Sequence, residues 1–186
     1  RSMPLQQCAI IVTLAMTQLA MHAHTAPAKE WPAPFQMDAN LYDVFFVNDR
    51  TGWSVGDRGT ILKTVDGGTS WHLQTTPVTC RLESVFFLDE FNGWAVGGYA
   101  VPYTHRAIGV VLQTTDGGAT WVEKTTDFLP WLTKVVFLDN KRGFLTARPT
   151  AMFPSAVFRT EDSGKHWTPM PGVTTGGNDI CFAPNG

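Results

Sequence analysis

Charge is sparse in this chain and nowhere concentrated. Charged residues make up 16% of the 186 positions, the formal net charge is -2, and Lys and Arg never gather into a run. A nucleic-acid binder needs a basic patch or stripe to meet phosphates, so this composition speaks against nucleic acid as a partner. Cysteine is scarce too, with only Cys8, Cys80 and Cys181. Leu5-Gln6-Gln7 does not end in the small residues that lipidation of Cys8 would require. Cys80 and Cys181 fall in non-adjacent repeats, which leads to the expectation of two free, partly buried thiols. His72, His105 and His166 show no metal-ligand spacing and read as surface histidines. No glycine-rich loop follows a strand and opens a helix, as a phosphate cradle would. No cofactor and no metal are expected.

A long apolar run is also missing. The stretch from Cys8 to Ala23 (CAIIVTLAMTQLAMHA) is too short, and too interrupted by Thr and Gln, for a membrane span. With Arg1 ahead and the small residues Ala23 and Ala26 behind, it reads as a signal peptide over residues 1–26, followed by a Pro-rich linker at 27–40. Export is the expectation.

What the chain has in quantity is aromatic side chains, with 12 Phe and 7 Trp. It also has a repeat. Thr64-Val65-Asp66-Gly67-Gly68-Thr69-Ser70-Trp71, Thr114-Thr115-Asp116-Gly117-Gly118-Ala119-Thr120-Trp121 and Thr160-Glu161-Asp162-Ser163-Gly164-Lys165-His166-Trp167 all read T-x-D-x-G-x-x-W, and their tryptophans lie 50 and 46 residues apart. Each unit opens with a buried-strand pattern at Val44–Val47, Val85–Leu88 or Val135–Leu138. A second strand follows at Gly52–Gly56, Gly93–Gly97 or Gly143–Ala147. A third leads into the phrase (60–64, 110–114, 156–160), and a fourth leaves it (71–75, 121–125, 167–170). Four short antiparallel strands per unit make one blade of an all-β propeller. Blades are expected at 41–81, 82–131 and 132–175, with residues 176–186 matching the opening of a truncated fourth. About three and a half blades form an incomplete ring, since propellers close with about four to eight.

The phrase has a mechanical reading. Asp before glycine between two strands is a hairpin signal: the carboxylate accepts amides of its own turn and glycine supplies the positive φ. The structural set is therefore Thr64, Asp66, Gly68 and Trp71, Thr114, Asp116, Gly118 and Trp121, and Thr160, Asp162, Gly164 and Trp167. One carboxylate per turn falls well short of a calcium site.

Function is sought at the opposite ends of the strands. From the end of the second strand to the Thr of the phrase there are 8 residues in unit one, 17 in unit two and 13 in unit three. The additions are read as loops at 98–106 and 148–155. Arg58, Arg106 and Arg148, with Tyr99, Tyr103 and Phe153 beside them, are the candidates for a basic and aromatic protein-binding patch.

The eight-residue phrase resembles the Asp-box, or BNR repeat, of sialidase-type propellers. The longer pattern, V-x-F and G-W-x-V-G ahead of T-x-D-G-G-x-x-W, is similar to the photosystem II stability and assembly factor family over about residues 41 to 186. The resemblance implies a non-enzymatic, protein-binding β-propeller with an arginine-rich client face. In a phototroph it implies a photosystem II reaction-centre polypeptide as partner, met in the thylakoid lumen or periplasm. Outside phototrophs a periplasmic or extracellular role with another client is implied. The alternative is an Asp-box glycoside hydrolase with its catalytic residues in missing blades. A sialidase, however, carries its first arginine in an F-R-I-P motif, and Pro34-Phe35-Gln36-Met37-Asp38 has none.

Overall fold

The computed structural model describes residues 38–104, 106–124, 128–172 and 180. These belong to the compact unit Asp38–Gly186. The expected signal peptide, the linker up to residue 37 and, apart from Ile180, the expected start of a fourth blade lie outside the described residues.

Among the described residues, twelve strands form three four-stranded antiparallel sheets. Blade 1 holds β1 (Leu41–Phe46), β2 (Gly52–Gly56), β3 (Ile61–Thr64) and β4 (His72–Leu73). Blade 2 holds β5 (Arg81–Phe87), β6 (Gly93–Val101), β7 (Arg106–Thr114) and β8 (Val122–Glu123). Blade 3 holds β9 (Leu132–Phe137), β10 (Gly143–Ala147), β11 (Val157–Thr160) and β12 (Thr168–Pro169). Each sheet is ordered as its strands follow in the chain, the topology of successive β-propeller blades.

Hydrophobic burial occurs between sheets. One core joins Trp53, Val55 and Ile61 of blade 1 to Leu82, Val85, Phe87 and Trp121 of blade 2. The other joins Trp94, Val96 and Val111 of blade 2 to Leu132, Val135, Phe137 and Trp167 of blade 3. The repeated Gly-Trp pair serves this packing. Gly93 pairs with Phe87 across the strands, and a Cβ on Gly93 would come within 2.4 Å of the Phe87 ring. The ring therefore lies over the bare glycine, and the next residue, Trp94, is buried against blade 3. On the far flank of blade 1, Leu41, Val44 and Phe46 stay exposed, while their repeat equivalents Leu82, Val85 and Phe87 are buried against blade 1.

The first strands share a bulge at one repeat position: the register skips Tyr42, Glu83 and Thr133. A bulge re-aims the strand where it enters the sheet. Just beyond it, Asp43 on β1 accepts from Ser84 Oγ at 2.8 Å and Val85 N at 3.1 Å on β5, and pairs with Lys134 Nζ at 3.2 Å on β9. These three strands are thus tied together by one carboxylate.

Two details differ from the sequence expectation. Residues 98–101 and Arg106, read as part of a loop at 98–106, continue as strand, and the third strand of blade 2 begins at Arg106 instead of 110: Tyr99 pairs with Ile108, Ala100 with Ala107 and Val101 with Arg106. The β-branched and aromatic residues there sustain the pleat, and the turn shrinks to the tip around Pro102–Thr104. The fourth strands contract to two residues each, all exposed, because an outermost strand has no further surface to pack against. Among the described residues, no helix is long and apolar enough to cross a membrane.

Candidate functional site

At one end of the blades the three aspartate turns repeat a single hydrogen-bond network. Thr64 Oγ1 donates to Asp66 Oδ1 at 2.9 Å and accepts from Gly68 N at 2.9 Å. Asp66 also accepts from Ser70 N at 2.8 Å and Ser70 Oγ at 2.6 Å. Thr114, Asp116, Gly118 and Thr120 repeat this with distances of 2.6 to 2.8 Å. In the third turn His166 Nδ1 lies 2.6 Å from Asp162 Oδ2, where the others have a hydroxyl. The hydroxyl and amide of Thr120 hold the Asp116 carboxyl down at about 2. The His166 amide holds Asp162 lower still. Both carboxylates thus stay ionised and engaged in their turns.

The turn backbone is left-handed at two successive residues. Gly67 and Gly68 have φ of 71° and 87°, and Gly117 and Gly118 have 70° and 88°. The third turn puts Ser163 in the first of these places at φ 66°. Its strain is offset by Oγ donating to Asn140 O at 2.6 Å. Trp121 and Trp167 are buried, each edge-on to the Phe of its own blade, Phe87 and Phe137 respectively. Trp71 takes the same position against Phe46 and is partly buried.

The opposite end is the candidate site. Glu83, carried on the β5 bulge with its side chain 11% exposed, accepts from Trp131 Nε1 at 2.9 Å and Arg148 Nη2 at 3.0 Å. Arg81 Nε lies 3.2 Å from the same oxygen, an ion pair without hydrogen-bond alignment. Both guanidiniums also stack: Arg81 3.6 Å from the Tyr42 ring centroid, and Arg148 4.7 Å from that of Trp131. The cluster thus sets two cations against one carboxylate and joins all three blades. Its surplus positive charge sits on two flat, aromatic-backed guanidiniums, a surface suited to carboxylates.

The predicted patch residues divide among separate places. Arg148 belongs to the Glu83 cluster. Arg58, at φ 58° in the β2–β3 connection, donates to the Asp38 carbonyl oxygen and lies 4.0 Å from the Asp38 carboxylate. Arg106 sits 5.9 Å from the Phe128 ring centroid and lines a cavity with Phe153. Tyr99 is an exposed residue of β6, and Tyr103 is fully exposed at the hairpin tip with φ 63°. The contacts do not gather the three arginines into one patch.

Glu83, Arg81, Trp131 and Tyr42 were not singled out from the sequence. Arg81 and Trp131 both directly precede the first-strand leucine of their units, and that shared register was the available signal. Among the described residues, no three of His, Cys, Asp and Glu cluster as a metal site. Cys80 is free, with burial raising its thiol above the ordinary value. His72 and His166 are exposed, and His105 and Cys181 lie outside the described residues.

Interlocked four-stranded blades, closed by aspartate turns at one end and carrying an arginine and aromatic cluster at the other, define a repeat β-propeller of the BNR class. Its family is shown by comparison. The family model for photosynthesis system II assembly factor YCF48 matches residues 23–176, and the chain belongs to that family. Among solved structures, the chain is similar to YCF48 bound to D1 peptide, at 30% identity and a TM-score of 0.57, over 70% of this chain and 39% of that one. It is also similar to YCF48 from Cyanidioschyzon merolae, at 25% identity and a TM-score of 0.53, over 73% and 38%. The chain therefore spans well under half the length of either relative. A GH74 enzyme of Niastella koreensis, at 15% identity and a TM-score of 0.49 over 72% and 23%, is too distant to bear on chemistry. Comparison with curated proteins gives no match.

Proposed function

We propose that the chain is part of an exported, non-catalytic β-propeller that binds a photosystem II polypeptide during assembly, with D1 as the client. The observation that carries this reading is membership of the assembly-factor family, joined by the likeness to a relative whose structure holds a D1 peptide. The three T-x-D-x-G-x-x-W turns are Asp-boxes in this reading, and they act as structure. Asp66, Asp116 and Asp162 are engaged by their own turns, which favours a binding role over a hydrolytic one. The Glu83 cluster supplies cationic, aromatic-backed guanidiniums for acidic or carboxylate-bearing segments of the client. The apolar stretch at 8–23 supports delivery by a signal peptide to the thylakoid lumen or periplasm, or to the outside of the cell.

The test is binding of the protein to peptides tiling D1. At least one peptide should bind, and Arg148→Glu should weaken that binding. Failure of every D1 peptide to bind would overturn the reading.

A further inference from the structure

The extended hairpin of blade 2 forms one wall of a separate open cavity. Arg106 and Ile108 of β7 face Phe128 and Leu129 from the segment before β9, and Met152 and Phe153 from the blade 3 insertion. The cavity measures about 210 Å³. It is smaller than the roughly 300–1,000 Å³ of sites that enclose a small molecule. One bulky side chain is the occupant of matching size.

The lining has a definite chemistry. Ile108, Leu129 and Phe153 offer apolar walls, while Phe128 and Met152 stand exposed at the rim, 69% and 65% accessible. Such apolar exposure at a cavity mouth is typical of an interaction site. Arg106 is the cation among the lining residues, and among the described residues no carboxylate pairs with it; its contact is the Phe128 ring. Arg81, Arg142 and Arg148, by contrast, each have an acidic partner. Cross-strand pairing puts Tyr99 beside Ile108 and Val101 beside Arg106, continuing the apolar surface along the hairpin toward Tyr103.

We propose that this cavity docks one large apolar side chain of an extended polypeptide, with a carboxylate of the same segment bound by Arg106. The proposal rests on the protein-binding reading and names the chemistry of the bound segment: aromatic or long aliphatic, flanked by Asp, Glu or a free C-terminus. The Arg106 guanidinium, which has no carboxylate partner among the described residues, selects the acidic flank, and the cavity size selects the single side chain.

The probe is a fluorescein-labelled peptide, Gly-Asp-Phe-Asp-Gly, with controls in which alanine replaces the phenylalanine or lysine replaces both aspartates. Anisotropy is read with the full chain. Each control should bind at least about tenfold more weakly than the probe. Ala151 lines the cavity and is exposed, so Ala151→Trp fills the space from the surface. Ala151→Trp and Arg106→Glu should each weaken probe binding by about tenfold or more, with Tm unchanged. Arg142→Gln, in the β9–β10 turn at the aspartate-turn end of the blades, should change it by less than about twofold. Equal binding of probe and controls, or equal binding by wild type and both cavity variants, overturns the proposal, as does absence of binding at about 1 mM probe. If D1 peptides bind wild type and Ala151→Trp alike, the cavity proposal fails and the assembly reading stands. If the probe binds through the cavity and no D1 peptide binds, the cavity proposal stands and the assembly reading fails.

Discussion

Trp53 of β2 stacks on Phe87 of β5 with ring centroids 3.5 Å apart and planes 10° from parallel, and so joins blade 1 to blade 2. Trp94 and Phe137 repeat the contact one blade on, at 3.7 Å and 13°. The two tryptophans differ in one respect. Trp53 Nε1 donates to Gly117 O at 3.2 Å, whereas buried Trp94 Nε1 has no partner among the described residues.

Replacing each by phenylalanine should separate these contributions. Trp53→Phe loses ring area and a hydrogen bond, and Trp94→Phe loses ring area while removing an unsatisfied donor. Trp53→Phe should therefore be the more destabilising by about 1 kcal/mol, read as the difference in urea unfolding free energy. Equal losses would mean that the Gly117 contact contributes nothing. Blade 3 already carries Phe144 at this repeat position.

The aspartate turns predict acid sensitivity. Asp116 has a folded value of about 2 against an ordinary 3.8, and Asp139, held by the Arg142 and Lys141 amides, also sits at about 2. A depressed carboxylate contributes stability that is fully present above its unfolded value and is lost as pH falls toward its folded value. The urea midpoint should therefore fall between about pH 4 and pH 2, and Asp116→Asn should flatten that slope. An unchanged slope in the variant would refute the assignment. Asp66→Ala at neutral pH should cost about 1–3 kcal/mol through its lost turn hydrogen bonds.

Ser163 offers a test of backbone strain. Ser163→Gly relieves about 1 kcal/mol of left-handed strain and loses a hydrogen bond of similar worth, so it should lie close to wild type. Ser163→Ala keeps the strain and loses the bond. It should be the less stable of the two variants by about 1 kcal/mol in denaturant titration, and the reverse order would contradict the turn geometry.

Glu83 holds two guanidiniums and an indole N–H at once. Glu83→Ala leaves all three without their acceptor at a largely buried position, and should cost about 2–4 kcal/mol. Glu83→Gln keeps an acceptor oxygen and should cost less. A thermal melt of both variants checks the order, and a neutral effect of Glu83→Ala would show that the arginines are solvated.

The blades were legible because their information is local. Strand alternation, Gly-Trp spacing and the Thr-Asp-Gly turn are each set within about ten residues by pleat, φ preference and short-range hydrogen bonds. The sequence therefore determined the repeat register and the four-stranded units, and it located Asp66, Asp116 and Asp162 in turns whose hydrogen bonds they accept.

The extent of the blade 2 hairpin was missed because a nine-residue insertion (98–106) looks like a loop until the pairing of Tyr99 with Ile108 is known. The Glu83 cluster was missed because Tyr42, Arg81, Glu83, Trp131 and Arg148 come from three blades. Only the tertiary structure decided which arginines are held by Glu83, which one stands over Phe128 beside an apolar cavity, and which aromatic rings lock one blade to the next. Those contacts join residues tens of positions apart, so they exist only once the sheets have packed.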